Sequence, residues 1–268
     1  MKLTAQVKLL PTEEQAQALR ETLQRANAAC DAISDWAWEH QTFGQYAVHK
    51  GVYQDVKARF ELTAQVVVRC IAKVADAYKL DKKVRRTFRP TGSIAYDSRI
   101  LRWQVTKSQV SIWTTRGRQK ITFTCGERQR QLLVTQQGES DLALVGREFY
   151  LLATCNVEEP EPRDVSGVLG VDLGIVNIAT DSDGTVYSGA VVNGLRHRHR
   201  RLRQCLQKKD TKSARRLLHH RRRKEARFAR DVNHCIAKQI VTTAQRTNRA
   251  VALEELTGIR TRVRARQP

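Results

Sequence analysis

The sequence predicts an α+β chain with more than one domain, and three observations support this fold class. Between residues 11 and 85, apolar residues recur every three to four positions, as in helices that pack on a core. Between residues 86 and 157, short runs rich in β-branched and aromatic residues alternate polar and apolar types, which indicates antiparallel strands. After residue 166 the order becomes three strands, a long basic helical stretch and a final strand.

The helical region begins at a clear start signal. Thr12 stands before an acidic turn, and Gln15 occupies the position that completes a capping box. The helical spacing that follows extends to between Trp36 and His40. A second helical pattern runs from Val52 to Lys82, after a loop or short helix that begins near Gly44.

The strands on either side of this helical region are expected to form one small barrel. The opening strand, Leu3 to Leu9, can close a barrel made by the short strands of residues 94 to 154, so that the helices are an insertion. We therefore predict a β-barrel-like domain made of residues 1–10 and 86–157, and a helical domain made of residues 11–85. A proline-rich acidic linker, residues 158–165, precedes a third domain, residues 166–268.

An acid at the end of an apolar strand is the main chemical signal of the third domain. The run from Val168 to Val171 is typical of a buried strand, and Asp172 follows it directly. A second apolar run then ends in the hairpin signal Asp183-Gly184. An ionised carboxylate in such a place needs a hydrogen-bonding partner or a cation. A hydrogen bond to a nearby turn and a metal site are both open interpretations.

A second acid, Glu254, follows the last predicted strand. If this strand neighbours the one that ends at Asp172, the two carboxylates converge, and a divalent cation such as Mg²⁺ would relieve their repulsion. Magnesium held in this way could support phosphodiester cleavage. The alternative for Glu254 alone is a solvated acid or an ion pair with Arg260.

The charge distribution points to a polyanionic partner. The formal net charge is +21, and residues 190–268 contain 23 Lys and Arg against 5 Asp and Glu. A solvated helix face is the simpler explanation of a charge run, but this density of like charge favours contact with an RNA or DNA backbone. The predicted nucleic-acid-binding residues are Arg196, Arg198, Arg200, Arg201, Arg203, Lys208, Lys209, Lys212, Arg215, Arg216, Arg221, Arg222, Arg223 and Arg227.

Other residue types give weaker signals. The six cysteines form no C-x-x-C pair, so no zinc site is encoded, and we expect them to be reduced and packed. Four histidines in the basic stretch (His197, His199, His219 and His220) are interpreted as hydrogen-bond donors to phosphate groups rather than as metal ligands. The four tryptophans are assigned to packing rather than to base stacking. No signal peptide or membrane span is recognised, and no membrane partner is expected.

Several segments, taken in order, resemble the TnpB family of transposon-encoded RNA-guided DNA endonucleases, which are related to type V CRISPR effectors. The segments Leu169–Ile175 and Ala252–Arg260 resemble its first two catalytic motifs. Residues 210–216 and 227–234 resemble its helical signature. Two segments, Phe60–Gln65 and Lys73–Lys79, resemble its recognition lobe, and Ser93–Asp97 resembles its wedge domain.

The resemblance implies a helical recognition lobe inserted in a β-barrel-like wedge domain, followed by a partial RuvC-like domain of the RNase H-like fold. It implies that Asp172 and Glu254 are two of three catalytic acids and Mg²⁺ ligands. Its implied partners are a guide RNA from the transposon end and a target double-stranded DNA. The corresponding location is the prokaryotic cytoplasm, with the protein at the nucleoid when it is bound to DNA.

The sequence departs from the family pattern after Glu254. The family continues with a zinc ribbon and a third Asp motif, and this sequence has neither after Glu255. We therefore expect a C-terminal truncation, weak or absent Mg²⁺ binding and impaired cleavage. Substitution by Asp181 or Asp183 is the less favoured option, because both fall in a hairpin turn. The alternatives are a non-cleaving guide-RNA/DNA-binding protein or gene remnant, and an unguided RNA-binding protein.

Overall fold

The computed structural model describes residues 1–221 and 224–255, and the chain divides into two compact units, Met1–Pro160 and Glu161–Pro268. The boundary between the units lies inside the predicted linker. Each unit has its own hydrophobic core. No helix among the described residues combines the length and apolar character that crossing a membrane requires.

The first unit combines seven strands with four α-helices. Its elements are β1 (Lys2–Leu10), α1 (Glu13–Glu39), α2 (Gln45–Phe60), α3 (Ala64–Leu80), β2 (Ile94–Tyr96), β3 (Leu101–Gln104), β4 (Gln109–Thr114), β5 (Gly117–Thr124), α4 (Glu127–Val134), β6 (Gln136–Val145) and β7 (Glu148–Asn156). The strands form one sheet in the order β2-β6-β7-β1-β5-β4-β3. Strand β1 therefore lies at the centre, and α1 to α3 are an insertion between β1 and β2.

The seven-stranded sheet curls into a nearly closed barrel. Tyr96 on β2 donates its hydroxyl to the carbonyl of Trp113 on β4, at 3.2 Å. Trp103 on β3 donates its indole N–H to the Ser140 hydroxyl on β6, at 3.3 Å. These bonds connect strands from the two ends of the sheet order. Closure of this kind leaves few unpaired strand edges.

The helical insertion packs on the barrel through one continuous core. Helix α1 buries Leu19, Leu23, Ala26, Cys30 and Ile33, which recur at helical spacing. The predicted capping box at its start is confirmed. The Gln15 amide donates to the Thr12 hydroxyl at 3.3 Å, and the Thr12 amide donates to the Gln15 side chain at 3.1 Å.

One expectation for the first unit needs correction, and two of its elements are not predicted from the sequence. The pattern from Val52 to Lys82 predicts one helix, but Glu61 adopts a left-handed φ of 48° and separates α2 from α3. Helix α4 is not predicted from the sequence, because Leu133 is its one buried residue. Strand β6 is not predicted either, because the polar run Gln136–Asp141 hides its alternating pattern.

The described residues of the second unit form a four-stranded sheet with three helices. Its elements are β8 (Gly167–Leu173), β9 (Asn177–Asp181), β10 (Val186–Ser188), α5 (Ala190–Lys209), α6 (Lys212–Arg221), α7 (Lys224–Arg246) and β11 (Arg249–Leu253). The strand order is β10-β9-β8-β11. The first three strands are antiparallel neighbours, whereas β11 returns through the helices to pair in parallel with β8.

The core of the second unit is small. Leu169 and Val171 on β8 and Ala179 on β9 pack against Ile240 and Ala244 of α7. The long basic stretch folds as α5, α6 and the start of α7, with the predicted interruption near residue 210. The side of the sheet that faces α7 is therefore the buried side.

The cysteines are all free, but they are not all packed. Cys30, Cys70 and Cys155 are buried, and Cys125 is half-buried. Cys205 and Cys235 are exposed. The expectation that every cysteine is packed is therefore wrong for these two, because they lie on the outer faces of the basic helices α5 and α7.

Candidate metal and nucleic-acid site

The parallel pairing of β8 with β11 brings the two predicted catalytic acids together. Val171 on β8 is the partner of Leu253 on β11, and Asp172 and Glu254 are the next residues of their chains. Partners in adjacent strands have side chains on the same side of the sheet. The two carboxylates therefore lie side by side at the carboxyl end of the parallel pair.

The electrostatics of Glu254 show how close the two acids are. The protonated Glu254 carboxyl donates a hydrogen bond to the Asp172 carboxylate, and this bond and the negative charge of Asp172 raise the pKa of Glu254 above its ordinary value. Both residues are exposed to solvent. Because neighbouring carboxylates repel each other when both are ionised, protonation or a bound cation would stabilise the arrangement.

The donor atoms fit a hard divalent cation. Two carboxylates offer the oxygen ligands that Mg²⁺ prefers, and their exposure leaves room for water and for substrate phosphate to complete the coordination. No group of three or more His, Cys, Asp or Glu side chains that could hold a metal ion occurs in residues 1–221 and 224–255. The described acids at this point are therefore a pair.

Asp181 does not join this pair. It is the partner of Val171, and Asp172 is the partner of Thr180, so Asp181 lies on the opposite side of the sheet from Asp172. Its carboxylate accepts the Asp183 amide at 3.1 Å and the Thr185 amide at 2.8 Å. Asp181 is therefore buried in the β9–β10 hairpin, which it holds together.

Asp183 is also engaged elsewhere. Its carboxylate accepts two hydrogen bonds from the Arg249 guanidinium at the start of β11, one of them at 2.8 Å. These bonds hold the pKa of Asp183 below its ordinary value and raise the pKa of Arg249. This bidentate pair, which sequence reasoning missed, ties the hairpin to β11. The alternative partner of Glu254, Arg260, lies outside the described residues.

The predicted nucleic-acid-binding residues lie on α5, α6 and the start of α7. Arg222 and Arg223 fall outside the described residues. Of the others, Arg221 is half-buried, and the exposed ones are Arg196, Arg198, Arg200, Arg201, Arg203, Lys208, Lys209, Lys212, Arg215, Arg216 and Arg227. The structure thus presents these cations to solvent.

Two of these cations have acidic partners. Arg203 forms a salt bridge with Glu225 at 3.2 Å, and Arg215 forms one with Asp210 at 2.8 Å. No other salt bridge of this basic set is found in the part of the chain that the structure describes. Most of the positive charge on the helices is consequently available to an external polyanion.

A cavity of about 390 Å³ opens between the basic helices. Leu202, Leu206 and Leu218 give it an apolar wall, and its polar lining includes His199, Arg203, His219 and Arg221. Two of the four histidines that are predicted to donate hydrogen bonds to phosphate therefore share one surface with arginines. The sequence signal for this cavity is the apolar stripe of α5, in which Leu202 and Leu206 are four residues apart.

Part of the chain matches a known protein family. Residues 152–257 match the sequence model of a family described as "OrfB_IS605: Probable transposase". No curated protein matches the chain by sequence.

Two solved structures are similar to the chain. The first is a Cas12f1–sgRNA–target DNA complex, with a TM-score of 0.54 and 13% identity, and the match covers 90% of this chain and 66% of that chain. The second is a CRISPR–Cas12f ternary complex, with a TM-score of 0.39, 13% identity and coverages of 90% and 63%. The first match shows that the chain has a Cas12f-like fold. The chain spans somewhat less than two thirds of the length of each of those two chains.

Proposed function

We propose that the chain is a transposon-associated member of the RNA-guided DNA endonucleases, because residues 152–257 match the OrfB_IS605 (TnpB) family of probable transposases. Its reaction would be metal-dependent phosphodiester cleavage, with a guide RNA and a target double-stranded DNA as partners. The observation that carries this proposal is the side-by-side placement of Asp172 and Glu254 on β8 and β11.

The topology of the second unit supports an RNase H-like, and hence RuvC-like, fold. Three antiparallel strands are followed by helices and by a strand that pairs in parallel with the first. This connection brings two strand ends that are distant in sequence to the same edge of the sheet. That edge carries the two acids.

In this mechanism the protein residues hold the metal ion and position the nucleic acid. Asp172 and Glu254 would hold Mg²⁺ in their ionised forms. When bound there, Mg²⁺ would polarise a phosphodiester and help to ionise the attacking water. The exposed arginines and lysines of α5 to α7 would hold the nucleic-acid backbone through charge-assisted hydrogen bonds.

A second candidate is a protein that holds guide RNA and DNA without cutting. It is favoured by the absence of a cluster of three metal-ligating side chains among the described residues. A pair of carboxylates binds Mg²⁺ more weakly than a three-carboxylate set, so we propose that cleavage by these described residues is impaired. Under either candidate the basic helices keep their role.

A cleavage assay separates the two candidates. The full chain is combined with guide RNA, Mg²⁺ and target DNA, and both binding and cutting are measured. The nuclease is supported if the chain cuts the target and Asp172→Ala abolishes this cutting. The control variant Asp231→Asn on α7 should leave the cutting unchanged. Guide-dependent binding without cutting would support the binding protein. Equal binding of arbitrary RNAs would contradict both.

A further inference from the structure

We infer that the outer face of α2 is a binding surface for the unpaired bases of single-stranded nucleic acid. Tyr46, Lys50, Tyr53 and Lys57, called here the α2 stripe, follow one another at intervals of four, three and four residues. This spacing places all four on one side of the helix. The two tyrosines are about 10 Å apart along the helix axis.

Three residues of the α2 stripe, Tyr46, Lys50 and Lys57, are exposed, whereas Tyr53 is half-buried and packs against the core of the first unit. Val48, Val52 and Val56 are buried and hold the opposite side of α2 on the first unit. Tyr46 is 85% exposed, and Lys50 and Lys57 are also exposed. A large aromatic ring with this exposure contributes little to folding, because little of its surface is removed from water. Its free face is available to a ligand.

The second tyrosine is already ordered by its neighbours. The His49 ring stacks on Tyr53 with a centroid distance of 4.6 Å and an interplanar angle of 22°. The Lys57 ammonium lies 6.0 Å from the centre of the same ring. Lys57 thus places a positive charge beside an aromatic ring that His49 holds in position. Because His49 and Lys57 already cover this ring, Tyr46 is the ring of the stripe that is free to stack on a base, and Lys57 can contact a phosphate beside it.

The charge of the surface selects the class of partner. Asp55 is the single acid of α2, and it lines the cleft between α1 and α2 on the side away from the stripe. No salt bridge in the described part of the chain involves Lys50 or Lys57. The exposed ring of Tyr46, beside cations that form no salt bridge among the described residues, matches a ligand that combines flat apolar groups with negative charges. Single-stranded RNA and DNA have this chemistry, whereas a duplex keeps its bases stacked internally.

The tryptophans do not compete for this role. Trp36, Trp38, Trp103 and Trp113 are partly buried and pack against the core of the first unit. Trp36 also lies directly against Gly51 of α2, where a side chain would collide with its ring. The exposed aromatic ring of this helix is therefore that of Tyr46, on its outer side.

The inference concerns a different unit from the Asp172–Glu254 pair and is tested without cleavage. Binding of the full chain to labelled single-stranded DNA, single-stranded RNA and an abasic strand of equal length is measured by fluorescence anisotropy. High salt is used because it weakens the interaction of the basic helices with phosphates. The abasic strand keeps the phosphates and lacks the bases. We expect wild-type protein to prefer the base-bearing strands.

Matched variants identify the surface responsible. Tyr46→Ala should weaken binding to base-bearing strands by roughly fivefold or more and leave the abasic strand unaffected. Tyr46→Phe, which keeps the ring, should restore the preference. Lys57→Gln should weaken binding more than Lys79→Gln, which removes an equal charge from the salt bridge with Asp76 on α3.

The outcomes also identify the source of the ligand. If the variants lose affinity only for RNA or only for DNA, the binding surface is supported and that nucleic acid is its ligand. If they lose affinity equally for both, the surface binds either kind of strand. The inference is overturned if wild-type protein binds abasic and base-bearing strands equally, or if Tyr46→Ala changes nothing. It is also overturned if Tyr46→Ala weakens duplex DNA binding as much as single-strand binding. Because Tyr46 is exposed, an unchanged melting temperature confirms that the variant is folded.

Discussion

At the scale of single residues, the interaction between Asp172 and Glu254 determines how the second unit responds to pH. Glu254 has a raised pKa in the folded protein because Asp172 shares a hydrogen bond with it and repels its ionised form. A group with a raised folded-state pKa contributes stability below its unfolded pKa, and this contribution disappears as the pH rises through the folded pKa. The two ionised acids therefore oppose folding at neutral pH.

Glu254→Gln should consequently raise the melting temperature of metal-free protein at neutral pH, because it removes the repulsion. The advantage should shrink as the pH falls through the raised pKa of Glu254 in the folded protein, and it should be absent below 4.5, the ordinary pKa of a glutamate. Added Mg²⁺ should stabilise wild-type protein more than the variant. Calorimetry from pH 4 to 8, with and without Mg²⁺, measures all three effects.

Asp231→Asn is the matched control for this experiment. Asp231 is an exposed acid on α7, and its substitution changes the net charge by the same amount. A control that stabilises the protein as much as Glu254→Gln does would mean that net charge alone explains the effect. That result would remove the electrostatic argument for a metal site at β8 and β11.

At the scale of elements, the core between β8 and α7 supports the whole second unit. Leu169 is fully buried there, and the core contains few other large side chains. Leu169→Ala should lower the free energy of unfolding of this unit by about 2–5 kcal/mol. Denaturant unfolding followed by hydrogen exchange would show this loss in the second unit. Loss of protection mainly in the first unit would contradict the assignment.

The exposed arginines of α5 make a separate prediction about nucleic-acid binding. The double variant Arg196→Gln/Arg200→Gln should weaken RNA and DNA binding at low salt. Plots of log affinity against log salt should become less steep by roughly 0.9 for each duplex phosphate that the variant no longer neutralises.

Arg116→Gln is the control for that measurement, since Arg116 is paired with Glu21 at 2.6 Å in the first unit. Its slope should stay at the wild-type value. If the α5 variant and this control have the same slope, the helices are solvated faces and not a binding surface.

Sequence reasoning succeeded where one physical signal dominated an element. The capping box at Thr12 and the amphipathic spacing of α1 are local signals, and both are found in the structure. The break at Glu61 was missed, because α2 and α3 keep the same apolar spacing on both sides of it. Strand β6 was missed because pairing in the barrel, rather than its own composition, holds Gln136 to Val145 in a strand.

The candidate site, like the fold, was predicted only in part from the sequence. Position at a strand end indicated Asp172 and an acid after the last strand, and the family resemblance selected Glu254 rather than Glu255. The parallel register that places Asp172 and Glu254 side by side is a long-range property. The Arg249–Asp183 pair and the α2 stripe were not anticipated. The first joins residues that are far apart in sequence, and the second depends on which side of α2 faces the core.

At the scale of the whole molecule, the division into two units makes a prediction about proteolysis. Residues 158–166 are exposed, and they connect two separate cores. Limited digestion should therefore cut first in this segment and release a stable first unit. Mass spectrometry of the early fragments gives the cleavage position. First cuts inside α1 or β1 would contradict the division.

The parallel pairing of β8 with β11 also affects how the protein is made. The two strands are about 80 residues apart in the sequence, and the helices α5 to α7 are synthesised between them. A chain still emerging from the ribosome has Asp172 long before it has Glu254. The acids can thus meet only after the arginine-rich helices have been synthesised, so the basic surface is complete before the acid pair can form.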